Sequence, residues 1–117
     1  MLRFWRATIN TKNGLAFAIR SEAAIREELI ALALAVPLAF LVGSSAMRRV
    51  ELIAVVVLVL VVELLNTAIE KLADRLTTEH DLQIGRVKDM GSAAVGVALV
   101  MAGLFWLFAL AERAGVV

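Results

Sequence analysis

Glu63, Asn66, Thr67, Glu70 and Asp74 stand at spacings that put them on one face of a helix. At about 100° per residue, Asn66 falls roughly 60° to one side of Glu63 and Thr67 roughly 40° to the other, with Glu70 and Asp74 within about 20° of it. Three carboxylates, an amide and a hydroxyl therefore share an arc of roughly 100°. The stripe follows the apolar run Leu52 to Val62 without a break. A carboxylate at membrane depth costs at least about 2–3 kcal/mol, so a chain keeps one there mainly for binding or chemistry. Glu63 is the deepest and has Val62 and Leu64 as neighbours, a setting suited to a general base. Glu70, about 10 Å further along, suits a hard cation with oxygen ligands, such as Mg²⁺ bridging nucleotide phosphates. The plainer alternative is a helix–helix contact in an oligomer, with Asn66 and Thr67 hydrogen-bonding across it.

Two further blocks carry chemistry. In Gly85-Arg86-Val87-Lys88-Asp89-Met90-Gly91-Ser92-Ala93-Ala94, Lys88 and Asp89 sit at the mouth of an apolar stretch. Lys88 is either a snorkelling interface lysine or a point charge for a transferring phosphoryl group. The small residues that follow let another helix approach closely. No G-x-x-x-x-G-K-[ST] loop is present, so a kinase here must use another architecture. In Ser21-Glu22-Ala23-Ala24-Ile25-Arg26-Glu27-Glu28, Ser21 reads as an N-cap with Glu22 in the first turn. Glu22 and Glu28 also lie within reach of the carboxylate stripe. His80 reads as a loop residue.

The elements that must hold these groups are helical and apolar. The chain has 117 residues, 62% of them hydrophobic, one Pro, no Tyr and no Cys; its mean hydropathy is +0.88. That is one domain of the membrane class, without thiol chemistry, and a single His speaks against a His-based metal site. A net charge of +1 implies no nucleic-acid partner. No signal peptide is expected, because Arg3 and Arg6 are not promptly followed by an apolar run. Residues 1–28 read as an amphipathic interfacial segment, interrupted at Asn13-Gly14. Membrane spans are expected at 29–47, 52–69 and 90–111, with Pro37 a candidate kink site in the first and the second helix running on through Arg75. Thr77–Gly85 reads as the one polar loop. Three spans place Arg3, Arg6, Lys12, Arg20, Arg26, Lys71, Arg75, Arg86 and Lys88 on one side, and only Arg48, Arg49 and Arg113 on the other. The N-terminus and the 70–89 connection are then cytoplasmic and the C-terminus periplasmic. One subunit offers little surface to enclose both a nucleotide and a lipid, so an oligomer is expected.

Taken together, N-G-L-A-F-A-I-R-S-E-A-A-I-R-E-E, E-L-L-N-T-A-I-E-K-L-A-D-R and G-R-V-K-D-M-G-S-A-A-V resemble the small prokaryotic diacylglycerol kinases, nearly end to end. The resemblance implies an all-α homotrimer of three-span subunits with an N-terminal surface helix, in the bacterial inner membrane. It implies phosphorylation of diacylglycerol by MgATP to phosphatidic acid. Carried over by motif, Glu63 matches the general base, Glu22 and Glu70 the Mg²⁺ ligands, and Lys88 and Asp89 residues at the phosphates. Asn66, Glu28 and Asp74 match polar positions that shape the site, and Ser92 a lipid-contacting one. Arg3, Glu79, His80 and Asp81 match nucleotide contacts by offset. Asn10 stands where relatives carry an aromatic beside the nucleotide, and the 77–81 loop departs from the usual run. A sister branch that phosphorylates undecaprenol tends to read K-D-M-A-A-G-A-V, so K-D-M-G-S-A-A-V favours diacylglycerol. The remoter alternative is a small proton- or cation-coupled transporter built on Glu63.

Overall fold

The computed structural model describes residues 1–117 as four α-helices without a strand. They are α1 (Leu2–Ser21), α2 (Ala23–Val42), α3 (Ala46–Leu76) and α4 (Leu82–Arg113). α3 and α4, with 31 and 32 residues, are each long and apolar enough to cross a membrane, and they contain the whole of 52–69 and 90–111. The molecule extends 53 Å along its longest axis, more than a hydrocarbon layer of about 30 Å. Only 15 of 117 residues are buried, and Leu34, Phe40, Val97, Leu104 and Leu107 are among the large apolar side chains left outside. Such a surface needs lipid or other copies of the chain to cover it.

Four boundaries differ from the sequence reading. Asn13-Gly14 does not interrupt α1, which runs unbroken to Ser21. One helical Gly costs about 1 kcal/mol, too little to break a helix that packs on α3 through Ala18. The break comes at Glu22, in extended conformation, so Ser21 ends α1 instead of capping α2, and residues 23–28 belong to α2. Arg26 fixes this corner by donating from Nη1 to the carbonyls of Ile19 (2.7 Å) and Arg20 (3.2 Å). A cation on the free carbonyls of a helix C-terminus terminates it favourably.

The 29–47 run is not one helix either. α2 continues through Pro37 but ends at Val42, and Ala46 and Met47 open α3. The Ser45 hydroxyl accepts the Arg48 N–H at 3.1 Å and starts the new helix. A side chain at Gly43 would run into the Ala39 carbonyl and Arg49, so the chain turns there only without one. The uncharged part of α2, Leu29–Val42, is about 21 Å long. Finally, the polar loop is shorter than Thr77–Gly85, because Asp81 accepts the N–H groups of Gln83 (2.9 Å) and Ile84 (3.0 Å) and starts α4 at Leu82.

Two small clusters hold the helices together. Ala18, Ile25 and Leu60 seat the α1–α2 corner on α3. Ala39, Leu52 and Ala109 join α2, α3 and α4 near the opposite end, where Trp106 donates its indole N–H to the Leu52 carbonyl at 3.2 Å. Beyond that cluster Arg48 binds Glu112 (3.0 Å) and Glu51 (2.6 Å), and Ser44 donates to Glu112 (2.8 Å). The Arg48 guanidinium, then the Ser44 hydroxyl, hold the Glu112 carboxyl below its ordinary value of 4.5. A depressed carboxylate stabilises the fold above its unfolded pKa, and that contribution is lost as pH falls through the folded value. The melting temperature in detergent is therefore expected to drop below about pH 4.5, and less steeply in Glu112→Gln. Parallel acid limbs for the two proteins would show that the Arg48–Glu112 pair contributes nothing.

Candidate active site

The polar stripe of α3 is held at its centre by Asn66. That residue is 7% exposed, and its Nδ2 donates to Glu70 Oε1 at 3.2 Å. Thr67, beside it, is also buried. Glu63 is half-buried one turn nearer the apolar end, within electrostatic range of Glu28, Glu70 and Glu22. The α1–α2 corner brings two of these over. With Ile25 fully buried against α3, Glu22 reaches Lys71 Nζ at 2.7 Å, and Glu28 lies on the next part of α2. Four carboxylates from α3, α2 and the corner thus face one region, with Lys71 among them.

α4 contributes from the other side. Lys88 Nζ donates to Asp74 Oδ1 at 2.5 Å, and Gly91 is buried against Asn66. The 77–81 loop, Asp74 and Lys88 line a polar cleft of about 320 Å³, with Glu79, His80 and Asp81 among its walls. Asp81 Oδ1 is already engaged as the α4 cap. A second, apolar cleft of about 520 Å³ runs between α1 and α3, with Leu15, Phe17, Leu64 and Ala68 on its walls. Asp89 and Ser92 are exposed on α4. Arg3 and Asn10 are exposed on the first half of α1, away from the corner at Glu22.

Lys71 did not stand out from the sequence, since it lies about 40° beyond Thr67, off the edge of the stripe and next to Glu70. Its ammonium nevertheless pairs with Glu22 and lies 5.1 Å from the centre of the Phe17 ring. The only signal was a lone basic residue inside an acidic stretch.

Residues 10–110 match the family of prokaryotic diacylglycerol kinases. The chain belongs to this family. Membership makes it an ATP-dependent lipid kinase. Diacylglycerol kinase of Escherichia coli strain K12 is 45% identical over 102 residues, which cover 87% of this chain and 84% of the relative. The Haemophilus influenzae diacylglycerol kinase is 40% identical over 93 residues, 80% of this chain and 79% of its own. That of Pseudomonas aeruginosa is 41% identical over 104 residues, 89% and 85% of the two chains. The region matched by the prokaryotic diacylglycerol kinase family takes in every residue of the stripe, the corner and the α4 mouth, but not Arg3.

A kinase of this family implies a divalent cation with its nucleotide, and the residues present fit one. Glu22 and Glu70 offer hard anionic oxygens, and Glu22 already binds a cation, the Lys71 ammonium. No three acidic or imidazole groups come close enough to form a closed cage. Mg²⁺ typically takes one or two carboxylates and completes its shell with water and phosphate oxygens, so a two-carboxylate donor set suits it.

Proposed function

We propose that this chain transfers the γ-phosphoryl group of MgATP to the free hydroxyl of diacylglycerol, giving phosphatidic acid and ADP. The observation that carries this reading is the convergence of Glu22, Glu28, Glu63 and Glu70 at the end of an apolar helix pair. A lipid hydroxyl and a water-soluble nucleotide meet only at such a boundary. Glu63 takes the hydroxyl proton as the lipid oxygen bonds to the γ-phosphorus and the bond to ADP breaks. Glu22 and Glu70 would hold the Mg²⁺ of the nucleotide, which would neutralise phosphate charge. Asn66 orients Glu70, Lys88 and Asp89 stand at the phosphates, and Asp74 aims Lys88. Glu28 and Ser92 face the lipid. Glu79, His80 and Asp81, with Arg3 and Asn10 from α1, bind the nucleotide. Catalysis is then mainly positioning and charge neutralisation.

In this reading α2, α3 and α4 all cross the bacterial inner membrane and α1 lies in its cytoplasmic interface. The chain works as a homotrimer. Support comes from the exposed apolar surface and from Glu70, Asp74 and Asp89, which one subunit leaves in the open. Neighbouring copies would supply the missing walls.

Product analysis with purified protein, MgATP and a mixture of diacylglycerol and undecaprenol tests the chemistry. Labelled phosphate is expected in phosphatidic acid; label in undecaprenyl phosphate alone would transfer the assignment to the other lipid. The orientation is tested separately with cysteines at Thr78 and Gly115, in a chain that has none of its own. Only the Gly115 position should react with an impermeant thiol reagent outside intact cells. Reaction at Thr78 alone would invert the topology and separate the site from cytosolic ATP.

A further inference from the structure

We infer that Gly91 is a positioning residue for phosphoryl transfer: its missing side chain lets Asn66 lie buried between α3 and α4 and hold Glu70 in register. The inference rests on the role proposed above for Glu70. Asn66 is more than nine-tenths buried, and of its two amide ends only Nδ2 has a hydrogen-bond partner, Glu70 Oε1. The buried Oδ1 is without one and lies directly where a Gly91 side chain would project. A methyl there would overlap Oδ1 far inside contact distance, and would stand 3.3 Å from Cγ and 3.9 Å from Cβ. The Cα–H of Gly91 therefore faces the amide oxygen, a contact of the weak C–H···O kind.

To clear a methyl at Gly91 the end of the Asn66 side chain must move. That side chain has two torsions, and turning the amide away from a methyl on α4 also swings Nδ2 off Glu70. Other helical glycines carry no such constraint: a side chain at Gly14, Gly85, Gly96 or Gly103 meets nothing within 4 Å. The demand for glycine at 91 is thus tied to one neighbour, and that neighbour to one carboxylate of the site. Small residues in helix interfaces usually serve backbone approach alone; here the space is filled by a polar side chain bonded to Glu70.

The test compares Gly91→Ala, Asn66→Ala and the double variant, each purified as the full chain, with MgATP and diacylglycerol. Gly91→Ala is expected to raise the Mg²⁺ concentration for half-maximal velocity about tenfold or more, the scale of a lost hydrogen bond to a charged group. The KM for diacylglycerol should stay unchanged, which a general loosening of the fold would not achieve. The double variant should be no worse than Asn66→Ala, because both changes remove one interaction. A normal Mg²⁺ activation curve in Gly91→Ala, or losses that multiply in the double variant, would overturn the inference. If Gly91→Ala does not assemble, Asn66→Ser in its background must restore assembly by making room, and failure to do so overturns the inference as well. Glu70→Gln is measured alongside. Unchanged Mg²⁺ activation in that variant defeats the reading of Glu70, whereas an impaired Glu70→Gln beside a normal Gly91→Ala defeats the inference about Gly91 alone.

Discussion

Glu63→Gln is expected to lower kcat by about 10² or more, with nucleotide affinity and oligomer size unchanged. The substitution keeps size and hydrogen-bonding capacity but cannot take up the lipid hydroxyl proton. Glu63 is the carboxylate of the stripe nearest the apolar part of α3, with Val62 and Leu64 beside it, so it is the one of them a lipid headgroup reaches first. It accepts no hydrogen bond from the protein and forms no ion pair within the chain, unlike Glu22, Glu70 and Asp74. A carboxylate kept in such a place without a partner has little structural use. Measuring kcat, ATP affinity and oligomeric state on one preparation decides the matter. Retained turnover with a changed melting temperature or altered assembly would make Glu63 interhelical glue instead of a base.

Glu70→Gln and Glu22→Gln should each reduce kcat/KM for MgATP by about tenfold or more, with the requirement for Mg²⁺ raised. Each change removes one negative charge and preserves shape. The two variants are expected to differ in one respect. Glu22 pairs with Lys71, so Glu22→Gln also leaves that ammonium without its carboxylate. At this partly exposed position the pair itself is worth at most about 1 kcal/mol, so a small loss of stability accompanies the kinetic one. Glu70 is bonded only to Asn66, and its replacement should leave the melting temperature nearly unchanged. Titrating Mg²⁺ at fixed ATP and recording both kinetics and melting separates metal binding from packing. A normal Mg²⁺ requirement in both variants would remove these residues from the nucleotide site.

Much of this candidate site was legible in the sequence because its parts are local. Glu63, Asn66, Glu70 and Asp74 share a face for the single reason that an α-helix repeats every 3.6 residues, and α3 is unbroken from Ala46 to Leu76. The long uncharged segments marked the apolar parts of α3 and α4 in the same way. Motif spacing carried the resemblance to the lipid kinases, which the family match then established.

What the sequence by itself determined, then, was composition, helix periodicity and the register of each polar face. The tertiary structure decided where helices stop and which faces meet. Local propensity favoured a break at Asn13-Gly14, but the chain turns at Glu22, because Arg26 reaches back to the carbonyls of Ile19 and Arg20 while Ile25 docks on Leu60. The run 29–47 carried no charge to divide it, yet Ser45 and Gly43 divide it through a cap and a close approach to Arg49. Lys71 with Glu22, Lys88 with Asp74 and Asn66 against Gly91 join residues far apart in the chain. Periodicity says which residues share a face; what covers that face depends on the packing of every other helix, and no local pattern carries that information.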